Sequence, residues 1–232
     1  MRINKYLSEC GYCSRREADR LIEEGAVIIN GVKAELGASV GADDIVVVNG
    51  EPVEPPRDHT YYIFNKPAGV VCTLSDKEGR SLKDYFSGRR HITYAGRLDK
   101  DSHGLLIMTD DGDLIDALMT GRNGHEKEYI VTVSGDLDTE KIKAMENGLY
   151  LREINVKTRP CKAWISGKNE FHMILTQGVN RQIRRMCKAV GMRVVDLKRI
   201  RIENIHLGGL ESGRYRKMTD EEITELRNRA GL

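Results

Sequence analysis

Residues 96–105 read Gly96-Arg97-Leu98-Asp99-Lys100-Asp101-Ser102-His103-Gly104-Leu105, and apolar Leu106, Ile107 and Met108 follow. Two carboxylates, a guanidinium and a hydroxyl are thus set between glycines directly before a buried-strand pattern. A polar loop anchored on such a strand is a place where a catalytic carboxylate is held. The glycines let another molecule's backbone come close. Asp99 stands two residues from Arg97, a cation that favours its ionised form. The same residue types also build plain solvent-facing turns, so spacing alone leaves that reading open. A hydrolase using Asp99 and Asp101 as a carboxylate pair is a further option. Alternate loop positions, however, often diverge in direction, and the charge pattern of the chain suits a polyanion better than a neutral sugar.

The charge pattern is uneven. The 232 residues carry a formal net charge of +2. Residues 1–60 hold 7 Lys/Arg against 11 Asp/Glu, whereas residues 152–201 hold 13 against 3. A net of about +10 within fifty residues of a nearly neutral chain points to a polyanion at one surface. Within that stretch, Asn180–Val190 reads as a two-faced helix. Ile183, Met186, Cys187 and Val190 follow helical spacing on one side, and Arg181, Arg184, Arg185 and Lys188 on the other. No Asp or Glu occurs between Phe171 and Val195, which favours phosphate contact over a merely solvated face.

The elements that must position these groups follow from periodicity and turn signals. Residues 1–53 read as a compact module of two helices and two hairpins. Ile3, Leu7 and Cys10 share a helical face, and Gly11 stops that helix. Ser14-Arg15-Arg16-Glu17 has the form of a capping box ahead of Ala18, Leu21 and Ile22, and Gly25 supplies the C-terminal turn. Asn30-Gly31 and Asn49-Gly50 are hairpin signals between apolar runs. Glu54-Pro55-Pro56-Arg57-Asp58 reads as a stiff linker, so the expected division is 1–53, a linker at 54–60, and a second domain over 61–232.

That second domain should have strands at Tyr61–Phe64, Val70–Thr73, Leu105–Thr109, Glu128–Val133, Phe171–Leu175 and Val194–Ile202. Its further helices are expected at Asp113–Met119, Thr139–Glu146 and Thr219–Asn228, the last opened by the capping box Thr219-Asp220-Glu221-Glu222. The order lacks a regular βαβ repeat, which predicts an α+β fold with a mixed, largely antiparallel sheet.

No apolar run approaches the roughly 18 residues of a membrane span, and the N-terminus has no signal-peptide core. A cytoplasmic protein is expected. The five cysteines are scattered, and Cys10-Gly11-Tyr12-Cys13 lacks the second ligand pair that structural zinc requires. No feature demands an oligomer, so a monomer is expected.

Four stretches, in order, resemble the motifs of the pseudouridine synthases, in the branch that modifies ribosomal RNA with an accessory N-terminal domain. They are Asn65-Lys66-Pro67-Ala68-Gly69, the loop around Asp99, Lys127-Glu128-Tyr129-Ile130-Val131, and the run from Leu175 to Met186. The wording of Asp99–Ser102 and of Gln177–Met186 most resembles the RluF-like group, which acts on large-subunit ribosomal RNA. Residues 1–53 resemble the small α-L RNA-binding module, with Lys5, Arg15, Arg16 and Arg20 offered to RNA, unless they only balance the five acids of residues 1–24.

The resemblance implies isomerisation of a uridine in a structured RNA stem-loop, with no metal, small-molecule cofactor or group donor. It implies that Asp99 is the essential carboxylate, that Arg184 is its buried basic partner, and that Tyr129 stacks on the extruded uracil. Arg97 would fill the vacated space, Lys66 would support the loop or meet phosphate, and Arg181, Arg185 and Lys188 would hold the backbone. Asp101 and Ser102 would brace the loop. A non-catalytic RNA-binding protein of ribosome assembly would explain the N-terminal module and the basic stretch, but it leaves Asp99 and Tyr129 without a task.

Overall fold

The computed structural model describes residues 1–54, 58–75, 79–88, 92–120 and 124–232. The central residues of the expected linker, Pro55, Pro56 and Arg57, lie outside the described residues. The chain separates into two units. One is Met1–Thr60 together with Ser87–Thr93 and Thr109–Gly112, and the other holds the remaining described residues.

The N-terminal unit contains α1 (Ile3–Glu9), α2 (Arg15–Glu23), β1 (Val27–Ile29), β2 (Val32–Lys33), β3 (Val46–Val48) and β4 (Glu51–Pro52). The strands form one sheet in the order β2-β1-β3-β4. Both Asn-Gly pairs take positive φ at both residues, at +49° and +83° for Asn30 and Gly31 and at +53° and +86° for Asn49 and Gly50. That backbone matches the twist of two-residue hairpins, which is why these dipeptides sit there. Ile3, Leu7, Ala18, Leu21, Ile22, Val27, Val46 and Val48 make the core, while Cys10 caps α1 half-buried. The capping box at α2 is only half formed. Ser14 Oγ accepts from Glu17 N at 3.2 Å, but the Glu17 carboxylate turns to the Arg20 guanidinium three residues on, a charged donor that outcompetes a backbone amide.

The larger unit continues through β5 (Tyr61–Lys66), α3 (Lys83–Phe86), β6 (Thr93–Ala95), β7 (His103–Thr109), α4 (Gly112–Met119), β8 (Lys127–Ser134), α5 (Thr139–Glu146), β9 (Tyr150–Leu151) and β10 (Val156–Lys157). Then come β11 (Lys162–Gly167), β12 (Glu170–Leu175), α6 (Gln182–Ala189), β13 (Arg193–Ile202), β14 (Ile205–His206), β15 (Tyr215–Lys217) and α7 (Asp220–Ala230). Its main sheet runs β11-β12-β8-β13-β7-β5-β15. The pairs β11–β12, β12–β8, β8–β13 and β5–β15 are antiparallel, and β13–β7 is parallel. The fold is therefore α+β with a mixed sheet.

Two apolar clusters flank this sheet. Val131, Val133, Phe171, Met173 and Leu197 pack with Ile142 and Met145 of α5 and with Ile183, Met186 and Cys187 of α6. Ile63, Leu105, Ile107 and Ile202 pack with Leu114 of α4 and with Leu226 and Ala230 of α7. Thr219 caps α7 in a complete capping box with Glu222.

Two expectations fail. Val70–Thr73 is not a strand, because only Val71 forms a bridge, to Ser81, and the segment serves as a turn around the Lys66 ammonium. Strand β11 was not expected. Ala163 is its one buried side chain, while Trp164 and Ile165 are exposed, so it lacks the alternation that marks a strand.

Candidate active site

The Asp99 loop is fixed by bonds from three segments. Gly69 N donates to Lys100 O at 2.7 Å, and Leu98 N donates to Cys72 Sγ at 3.4 Å. Arg199 Nε donates to Leu105 O at 2.7 Å, and its Nη1 donates to Arg97 O at 3.4 Å. Arg184 Nη2 donates to Asp101 O at 2.9 Å and to Ser102 Oγ at 3.3 Å. Within the loop, Ser102 N bonds Asp99 O at 3.1 Å. At its end, parallel pairing brings β13 so close that a Cβ on Gly104 would lie 2.3 Å from Arg199 O. Gly104 also has φ +103°, so glycine is required there on both counts.

Asp99, Tyr129 and Arg184 line one cavity of about 510 Å³, together with Arg97, Arg181, His125, Lys127 and Arg199. A volume of that order accommodates a small-molecule-sized group such as a nucleoside. The Asp99 carboxylate is 31% exposed, Tyr129 is half-buried, and the Arg184 side chain is 15% exposed.

The pairing of charges differs from the expected one. Arg181, not Arg184, makes the ion pair with Asp99, at 3.7 Å. Arg181 is spent mainly on Asp101, which it grips with both terminal nitrogens at 3.1 and 3.0 Å, and this holds the Asp101 carboxyl below its ordinary range. Arg184 serves the Asp101 carbonyl, the Ser102 hydroxyl and, at 3.4 Å, the Asp101 carboxylate, and its Nε is buried without a partner. Arg181 initiates α6 in the left-handed region, φ +52°, which directs its fork across the loop.

The other expected RNA contacts divide. Lys66 is fully buried, its Nζ donating to Pro67 O and Val70 O at 3.0 and 2.7 Å, and burial lowers its pKa. It braces the first motif from within. Arg185 and Lys188 are both ion-paired to Glu153, an acid outside the acid-free stretch that folding brings back to α6. Arg20 is held by Glu17 and Glu24, and Lys5 by Glu9, so in these two the balancing of local acids is what the structure displays. Arg15, Arg16 and Arg97 are exposed.

Arg199 was not singled out from the sequence, and a β-bulge explains why. Arg199 pairs with Tyr129, whereas Arg201 pairs with the adjacent Glu128, so the register shifts between them. Strict alternation would put Arg199 and Arg201 on one face. The bulge sends Arg201 to Glu126 and Glu128 on the far face and leaves Arg199 1% exposed beside Tyr129. Lys127 lies two residues from Tyr129 on the same face. Burial, and then the Arg199 charge, push its ammonium down to about 8. Among the described residues no group of three or more His, Cys, Asp or Glu is placed to hold a metal ion.

Residues 60–189 match the family model for RNA pseudouridylate synthase, and residues 1–46 match that of the S4 domain. The chain belongs to the RNA pseudouridylate synthase family. Among the relatives of this pseudouridine synthase is the dual-specificity RNA pseudouridine synthase RluF of Salmonella typhi, 44% identical over 97% of this chain and 78% of the relative. Ribosomal large subunit pseudouridine synthase B of Bacillus subtilis is 36% identical over 97% of this chain and 95% of the relative. A solved structure described as a pseudouridylate synthase superposes with a TM-score of 0.72 at 30% identity, covering 97% of this chain and 99% of that one.

Proposed function

We propose that this protein converts a uridine of ribosomal RNA, most directly of the large subunit, to pseudouridine. The observation that carries the reading is the convergence of Asp99, Tyr129, Arg181 and Arg184 on one cavity, in a chain whose relatives carry that activity in their names.

The reaction breaks the bond between ribose C1′ and uracil N1, turns the base, and joins C1′ to C5. A proton leaves C5 and one is gained at N1. Asp99 supplies the carboxylate that meets the nucleoside. The Arg181 guanidinium stands 3.7 Å from it, and the Arg184 cation lines the same cavity, so charge developing at the reacting sugar meets fixed positive groups. Tyr129 offers its ring to the flipped uracil. Arg97, exposed beside Asp99, takes the place the base leaves. Asp101, Ser102 and Lys66 keep the loop in shape. In this reading residues 1–53 orient the RNA through Arg15 and Arg16, residues 54–60 link, and residues 61–232 catalyse. We read the protein as acting as a monomer. The workplace is the compartment of the ribosome, the cytoplasm; among the described residues no helix is long and apolar enough to cross a membrane.

The test is incubation with large-subunit ribosomal RNA transcripts, followed by chemical mapping of pseudouridine. Wild type gives product at a defined uridine, and Asp99→Asn gives none while still binding RNA. Product formed by the asparagine variant removes Asp99 from its role. Absence of product with wild type on every ribosomal transcript removes the function.

A further inference from the structure

The isomerisation moves a proton as well as a bond, since hydrogen leaves C5 and appears on N1. None of the groups assigned so far carries it. Lys127 is placed to do so. It sits in β8 between Leu175 of β12 and Ile202 of β13, so its backbone is fixed by a strand on either side. It comes two residues before Tyr129 on the same face of the strand. Both residues line the cavity that Asp99 lines.

The ammonium has no counter-ion there. Among the described residues its hydrogen bonding is a single long contact, Nζ to His125 O at 3.4 Å, and no carboxylate forms an ion pair with it. The charged groups that act on it are Arg199 and Glu203. Arg199 is 1% exposed and donates to the carbonyls of Leu105 and Arg97. Glu203 is engaged elsewhere. Its Oε1 accepts from Glu126 N at 2.8 Å and lies 3.1 Å from His125 Nδ1, and its Oε2 lies 3.8 Å from Arg229. A lysine kept only to hold the fold would be paired at such a place.

Resting on the function proposed above, we propose that Lys127 is a catalytic residue of the isomerisation, the acid that protonates uracil N1 and then, as the free amine, the base that removes the C5 proton. Cleavage of the C1′–N1 bond leaves its electron pair on the ring, and the ammonium steadies that negative charge. When C5 bonds to C1′ it becomes tetrahedral and still carries its hydrogen. The ammonium then gives a proton to N1. The resulting amine takes the proton from C5. The C5–H electron pair forms the C5–C6 double bond, and the C6–N1 π pair returns to N1. The ammonium is restored, with no outside acid or base. N1 and C5 are both bonded to C6, so one nitrogen on a long flexible stem serves both. Burial, and then the Arg199 charge, bring this ammonium to about 8, close to the range in which one group gives and takes a proton.

The test measures single-turnover rates and RNA affinity for wild type, Lys127→Met and Lys127→Arg, each checked for its melting transition. The resting group must be protonated, so wild-type kcat/KM should be level below about pH 8 and fall about tenfold per pH unit above it. Lys127→Met should be slower by on the order of a hundredfold or more, with RNA affinity within a few fold and without that falling limb. Lys127→Arg keeps the charge but cannot yield its proton, so it should stay within about tenfold of Lys127→Met. RNA deuterated at C5 of the target uridine should react severalfold more slowly than ordinary RNA in Lys127→Met, because removal of that proton has lost its base. A level wild-type profile through about pH 9, a wild-type rate for either variant, or a loss confined to affinity overturns the proposal. So does an equal rate for the two RNAs in Lys127→Met. Lack of any product with wild type on natural uridine instead overturns the function on which the proposal rests.

Discussion

Two carboxylates two residues apart are divided in labour by their neighbours. Asp101 is clamped by both terminal nitrogens of Arg181, while Asp99 keeps a looser contact at 3.7 Å and faces the cavity. Asp99→Asn should abolish turnover and leave RNA affinity within a few fold. Arg184→Ala should cost roughly 10- to 100-fold in kcat with a smaller change in affinity, because its main bonds hold the Asp101 carbonyl and the Ser102 hydroxyl of the loop. An equal fall in affinity with normal turnover would return Arg184 to the phosphate ligands.

The Asp101 clamp also has a pH signature. Its folded pKa is lowered, chiefly by the hydrogen bonds from Arg181, so the stability it contributes is complete above the ordinary carboxylate range and is lost as pH falls through the lowered value. The side chain is 49% exposed, so Asp101→Asn should cost no more than about 1 kcal/mol at neutral pH. The difference in melting temperature between the two proteins should shrink on acidification below about pH 4. A difference that grows on acidification would contradict the pairing.

At the scale of elements, the parallel contact of β13 with β7 is the most demanding junction. Gly104→Ala places a methyl group 2.3 Å from a backbone oxygen at φ +103°. It should destabilise by about 3 kcal/mol or more, read as a fall in melting temperature accompanied by loss of turnover. Thr219→Ala removes a complete capping box from α7 and should cost about 1 kcal/mol without touching turnover.

These junctions differ in how far the sequence discloses them. The Asn-Gly hairpins, the α7 cap and the two-faced α6 are local, and their residues carry the signal in consecutive positions. The course of Val70–Thr73 is not local, since a β-rich tetrapeptide bends to place its carbonyl on the Lys66 ammonium. The Arg199 position is hidden by the bulge, which breaks the period-two rule at one residue. Arg185 and Lys188 read as free cations because Glu153, their partner, lies some thirty residues away in the chain. Pattern reading captures periodicity and turn chemistry, and it misses pairings that only the tertiary fold creates.

For the whole molecule, the concentration of positive charge over residues 152–201 predicts salt-sensitive RNA binding, but a shallower dependence than a count of cations suggests. Arg185 and Lys188 share one acid, Arg181 is committed to Asp101, and Arg199 is interior. With about four phosphates neutralised, affinity should fall on the order of a hundredfold between 50 and 200 mM salt. A salt-independent complex would remove the basic surface from the binding account.

The brace on the Asp99 loop has a consequence for the protein's own birth. Leu105 accepts its bond from a guanidinium 94 residues further along. At a synthesis rate of about 5–20 residues per second, the loop leaves the peptidyl transferase centre roughly 5–20 seconds before its clamp is even polymerised. A nascent chain is made in contact with ribosomal RNA, yet it carries an unassembled reaction centre until the final third has been translated.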